Sequence, residues 1–325
     1  MPQSFSEFLI QYQGHLAGLA ASFLWVFTSF IFTAASRRIG PTRVNTLRLL
    51  TAFAFLGAYN LFATRTLFPA ALTEQYLLLA VSGVVGLTIG DQFLFIAMLA
   101  IGPRLATLIM TAAPLFAAIL GYFIQHESLS GLSLAGMALT ISGVAWVVAE
   151  RPAKTADAQP HSRRDLSRGV TFALLAAFCQ AAGLMLSKRG IGHAWLPDAQ
   201  HLRPEQASLI RMTFAAGGAL IMLALSRARS ASSSSSSLTP EAGRAALLPG
   251  VLLACLGGIL GPTLGATASL FACNKAPVGV AQTLLSLSPV FMLPFVPWFE
   301  KERVSWRAVA GAFIAVAGTA LLFAQ

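Results

Sequence analysis

The sequence predicts an all-α membrane protein of ten transmembrane helices, arranged as two inverted five-helix repeats. Composition comes first: the 325 residues are 56% hydrophobic and only 10% charged, against the roughly one-quarter charged expected of a soluble globular domain. The apolar runs are continuous and rich in Gly, Ala and Leu. That pattern suits helices of about 20 residues and not the short alternating strands of a barrel. Finally, the chain repeats itself. Pro114, Glu127, Ser130, Gly136 and Gly143 recur 175 residues later as Pro289, Glu302, Ser305, Gly311 and Gly318. The segment Gly86-Leu-Thr88-Ile-Gly90 returns at the same offset as Gly261-Pro-Thr263-Leu-Gly265, and upstream Arg48 and Ala52 pair with Arg211 and Ala215.

Five spans per repeat is an odd number, so the second copy enters the membrane from the opposite side. The result is an inverted pair with a midplane cavity at its seam, a geometry suited to alternating access.

In chain order, helix one covers about 15–35 and ends in the basic turn at Arg37 and Arg38, and helix two covers about 45–62. Helix three, about 76–99, carries Gly83, Gly86 and Gly90 and is closed by Gly102-Pro103. Helices four and five form an apolar hairpin that completes a first repeat over 14–149. The polar stretch 150–168 reads as a linker. Helix six follows at about 169–186 and helix seven at about 205–225. The serine-rich loop 226–243 has no apolar face to bury and is expected to be disordered. Helices eight, nine and ten, at about 245–271, 277–299 and 306–323, complete a second repeat over 169–324.

The formal charge of +10 sits in loops between apolar runs without interleaved aromatics, so it speaks for membrane orientation and against nucleic acid. Cys179, Cys255 and Cys273 lie inside apolar runs and read as packing residues. The five histidines form no metal-type pair, and no phosphate-binding Walker sequence occurs. Neither cofactor nor metal is expected. An embedded enzyme would need a convergent acid, base or metal set, whereas Asp91 is the single acid deep in an apolar run.

A carboxylate at that depth costs about 2.5 kcal/mol or more unless it is paired, hydrated or protonated, so Asp91 reads as functional by default. The alternative is an Asp hydrogen-bonded to a neighbouring helix for packing. Thr88 shares its helical face and Gln92 is adjacent. Trp25 in helix one and Gln180 in helix six occupy matching places in the two repeats. Together Asp91, Gln92, Thr88, Trp25 and Gln180 form a candidate substrate and proton pathway. Lipid contact is the alternative for Trp25, and an interhelical hydrogen bond for Gln180. Pro114 and Pro289 would bend their helices or act as hinges. Glu127 and Glu302 sit in the repeated turns and read as caps or braces. Arg48 and Arg211 start helices two and seven, where long basic side chains reach for the headgroups.

The proline-containing fourth helix, the glutamate turn and the Gly-x6-Gly fifth helix, found twice, resemble the EamA family of the drug/metabolite transporter superfamily. Gly90-Asp91-Gln92-Phe93-Leu94-Phe95 is similar to that family's third-helix pattern. The resemblance covers nearly the whole chain. It implies a multi-pass protein of the bacterial plasma (inner) membrane, a monomer or homodimer. It also implies a proton-coupled exporter of small organic metabolites such as amino acids or drugs. Its partners would be the substrate, protons and the bilayer. A nucleotide-sugar or phosphorylated-metabolite antiporter is the alternative within transport, and would need cations deep in its cavity, which the apolar runs are read as lacking. A flippase or structural membrane subunit is the alternative outside it. The family pattern places both termini in the cytoplasm, whereas the basic loops after helices one, five and seven favour the opposite orientation.

Overall fold

The computed structural model describes residues 12–125, 130–149, 163–193, 195–232, 240–275, 284–299 and 304–322. Glu127, Glu302, linker residues 150–162 and residues 233–239 of the serine-rich loop lie outside the described residues.

The described residues are mostly helical, with no strand among them. In chain order α1 is Gln13–Ile39 and α2 is Pro41–Thr64. α3 covers 73–101: a regular turn set Thr73–Ser82, a π-helical Gly83–Gly90, and the first part of Asp91–Ile109. α4 covers 103–125, through a 3-10 turn at Met110–Ala112 into Ala113–Gln125. α5 is Gly131–Ala149, α6 is Arg163–Ile191 and α7 is Pro204–Ser232. α8 covers 240–275 and again contains a π-helical stretch, Ile259–Gly265. α9 covers 288–299 in two short pieces, Ser288–Met292 and Val296–Phe299, and α10 is Trp306–Leu322.

Among the described residues, six segments can cross a bilayer by length and hydropathy: Gln13–Ile39, Pro41–Thr64, Thr73–Leu120, Arg163–Ile191, Pro204–Ala228 and Leu247–Ala272. Leu134–Val147 and Trp306–Leu321 are shorter apolar helices. The 48-residue segment is two helices, because Gly102 at φ +79° and ψ 157° breaks the helical path and Pro103 opens the next one. The chain is therefore a multi-pass integral membrane protein. Phe62, Phe123, Ile221, Leu248, Trp298 and Trp306 point outward as an apolar surface, which costs nothing against lipid.

Interhelical contacts are preserved when the repeats are exchanged. α1 packs on α8 as α6 packs on α3, α1 on α9 as α6 on α4, while α2 pairs with α7 and α5 with α10. Small residues make these approaches possible where lipid supplies no hydrophobic drive of its own. A Cβ added to Gly83 would collide with the backbone of Arg211, one on Gly183 would lie 3.0 Å from the Cα of Gly86, and one on Gly258 2.8 Å from the carbonyl of Arg48. The glycines seven apart have the same role between α5 and α10. A Cβ on Gly143 would meet the nitrogen of Ala315 at 2.6 Å, one on Gly318 would strike Thr140, and Thr140 Oγ1 donates to the Gly136 carbonyl at 3.0 Å.

Two expected boundaries are corrected. The end of the anticipated linker is already helical, because α6 starts at Arg163 and Leu166 packs against the Ile101 cluster. Likewise α7 continues through Ser226 to Ser232 and α8 begins at Pro240, so both ends of the stretch expected to be disordered over 226–243 are helical. Arg and Ala in that extension are good helix formers, so a helix once started propagates.

The conformation of Gly102 is one that essentially only glycine adopts. Gly102→Ala is expected to lower stability by about 1–3 kcal/mol, read as a lower thermal midpoint of the purified protein. Gly131→Ala, where a Cβ meets nothing within 4 Å, should behave like the parent chain.

Candidate functional site

The π-helical stretch of α3 ends on Gly90 and delivers Asp91 into the centre of the bundle, 8% exposed. π-helical turns recur at functional sites because they re-aim side chains out of the α-helical register. Asp91 meets Arg48 of α2, which is 1% exposed, and the two form an ion pair through Arg48 Nη2 and Asp91 Oδ2. Two of the three guanidinium nitrogens are engaged. Arg48 Nε and Nη2 donate to Asn45 Oδ1 at 3.0 and 2.8 Å, and Nη2 also donates to the Leu87 carbonyl at 3.1 Å. The rings of Phe95 and Phe32 lie 4.9 and 5.5 Å from its central carbon, within cation-π range. Asn45 Nδ2 donates in turn to the Thr88 carbonyl at 2.9 Å, so α2 is tied to the π-helical turn from both sides.

Beside this pair lies a cavity of about 190 Å³ at the seam of the repeats. α1 contributes Trp25 and Ser29; α3 contributes Leu87, Asp91 and Leu94; α6 contributes Gln180 and Leu184. Arg211 comes from α7, Ala266, Ser269 and Leu270 from α8, and Pro114 and Pro289 stand on α4 and α9. Trp25 Nε1 donates to Ser269 Oγ at 3.4 Å, and Ser22 of α1 bonds Ser288 of α9 at 3.0 Å. Both prolines follow a local break in the helix, Pro114 after the 3-10 turn and Pro289 at the start of its short helix.

Of the residues singled out in the sequence, Asp91, Trp25, Gln180, Pro114 and Pro289 line this cavity. Thr88 and Gln92 are turned elsewhere. Thr88 Oγ1 donates to the Ala215 carbonyl at 2.8 Å and joins α3 to α7. Gln92 Nε2 donates to Thr42 Oγ1 at 3.0 Å, toward the start of α2.

The arginines overturn two expectations. Arg48 and Arg211 do not reach for headgroups, being 1% and 5% exposed, and the spans therefore do contain deep cations. Asp91 is accordingly not a solitary charge. Position relative to the apolar run could not show this, since the same spacing serves an arginine at an interface. The available signal was that Arg48 and Arg211 are equivalents in the repeat, and that Asn45 sits one turn before Arg48.

The family model of the EamA-like transporter family matches residues 12–149 and 167–324, one match per repeat. A solved crystal structure of a protein 19% identical in sequence superposes with a TM-score of 0.59 and covers 96% of both chains. At that identity the likeness concerns the fold alone. No curated protein matches the sequence.

Breaking a buried pair by removing one partner costs about 3–5 kcal/mol, while replacing both with apolar groups can be neutral. Arg48→Met is expected to lose stability on that scale, and Arg48→Met combined with Asp91→Leu to recover most of it, in thermal unfolding of the purified protein.

Proposed function

The chain belongs to the EamA-like transporter family, and we propose that it is a proton-coupled secondary transporter that exports small organic metabolites across the bacterial inner membrane. α1–α10 are read as ten spans in two inverted repeats. The exchange symmetry of the helix contacts and the odd number of helices per repeat support that reading. Glu127 and Glu302 remain proposed as braces of the repeated turns. Carriage across the bilayer, without chemical change to the substrate, accords with a family of transporters and with a cavity that presents one carboxylate.

The observation that carries the proposal is Asp91 on the wall of a seam cavity that both repeats build. In the proposed cycle Asp91 carries the coupling proton. Protonation breaks its ion pair with Arg48, and Arg48 keeps Asn45, the Leu87 carbonyl and two aromatic rings. The arginine therefore tolerates both states of the acid. Trp25 and Gln180 are proposed to contact the substrate, and Pro114 and Pro289 to be fixed bends that shape its passage. Thr88 and Gln92 are proposed as residues that position α3 against its neighbours. The cavity of about 190 Å³ is below the ~300–1,000 Å³ typical of drug-sized sites, which favours a small metabolite.

Asp91→Asn preserves shape and can still accept a hydrogen bond from Arg48, but it cannot titrate. In reconstituted vesicles the folded fraction of this variant should lose the response of transport to an imposed pH gradient, and Asp91→Glu should shift the pH dependence. A full response in Asp91→Asn would place the coupling proton elsewhere.

A further inference from the structure

The repeats treat one position differently. Arg48 and Arg211 are equivalents 163 residues apart, and on that offset Asn45, which holds Arg48, corresponds to Ser208. On the 175-residue offset of the next helix, Asp91 and Phe95 correspond to Ala266 and Leu270. Each side chain that satisfies Arg48 is thus shortened around Arg211. The consequence is visible in the packing. Ser208 Oγ and Arg211 Nε are buried without a hydrogen-bond partner, and among the described residues no ion pair meets the Arg211 guanidinium, which Asp91 reaches only through its longer-range charge. Ala266 belongs to the same buried cluster as Leu209 and Met212, which flank Arg211 in sequence, and Arg211, Ala266 and Leu270 all line the cavity. Two of the three shortened positions, Ala266 and Leu270, stand on the cavity wall with Arg211.

A buried guanidinium with unmet donors is costly, and an oxyanion is the ligand its planar fork fits best. We propose that Arg211 is the receptor for the carboxylate of a monoanionic organic substrate, which takes at Arg211 the place Asp91 takes at Arg48. That the ligand is a substrate rests on the transport reading above. Charge selects the class. Two guanidiniums and one carboxylate, from Arg48, Arg211 and Asp91, leave one positive charge for the ligand to neutralise. A zwitterion would leave that charge standing, a cation would add to it, and a phosphate dianion would overshoot it beside Asp91. Trp25, Leu87, Leu94 and Leu270 offer the rest of the molecule an apolar wall.

The test uses the purified full-length protein in neutral detergent and a set of probes of one shape: phenylpropanoate, phenylalanine, phenylethylamine and phenyl phosphate. Phenylpropanoate should protect against thermal unfolding at the lowest concentration, and phenylethylamine should not protect. Arg211→Met should raise the phenylpropanoate concentration needed by at least about tenfold, the scale of one charged hydrogen bond. Arg211→Lys should lose less. Should Arg211→Met fail to fold, the order of the probes on the parent protein decides. The proposal is overturned if the amine, the zwitterion or the phosphate protects better, if Arg211→Met responds like the parent, or if no carboxylate protects. It also falls if added phosphatidylglycerol protects through Arg211 and phenylpropanoate does not, since the anion is then a lipid headgroup. Proteoliposome uptake is read separately. Arg211-dependent binding without uptake contradicts the transport reading alone, and uptake of the amine contradicts the anion alone.

Discussion

A guanidinium buried in an apolar bundle costs several kcal/mol unless its donors are met, and the two repeats of this chain answer that constraint differently. In the first, Asn45, the Leu87 carbonyl and Asp91 meet the donors of Arg48, and Phe32 and Phe95 cover the plane. In the second, Arg211 faces a cavity. The rest of the bundle is arranged so that both arginines reach the centre. Glycines bring α3 against α6 and α7, and α8 against α2. The π-helical turns Gly83–Gly90 and Ile259–Gly265 lie where those contacts are made.

Duplication alone would give a symmetric cavity. Asymmetry enters through a few side chains, above all the carboxylate present at Asp91 and absent at Ala266.

Much of this was legible in the sequence, because the repeat and the apolar runs depend only on spacing and composition. The cavity residues Asp91, Trp25 and Gln180 stand out by depth in a span and by equivalence between repeats, whereas Pro114 and Pro289 read only as bends or hinges and their place on the cavity wall did not follow. Thr88 and Gln92 did not follow. Thr88 shares a face with Asp91 only on an α-helical count, and the π-helical turn between Gly83 and Gly90 alters that register. Gln92, one residue on, turns toward Thr42. The arginines were illegible for a different reason. Whether a basic residue near a helix start reaches for a headgroup or turns inward depends on what the next helices place there. Asp91 on α3 and the small residues of α8 decide it, and neither is local in sequence.

Ala266 stands where Arg211 would have the partner that Arg48 has in Asp91, and the most direct measurement supplies that partner. Binding of phenylpropanoate should be compared in Ala266→Asp and Ala266→Asn, which are matched in size. If Arg211 awaits a carboxylate, Ala266→Asp satisfies it internally and should lose binding by at least about tenfold, with Ala266→Asn retaining most of it. Equal loss in both variants, or undiminished binding in Ala266→Asp, would contradict the account.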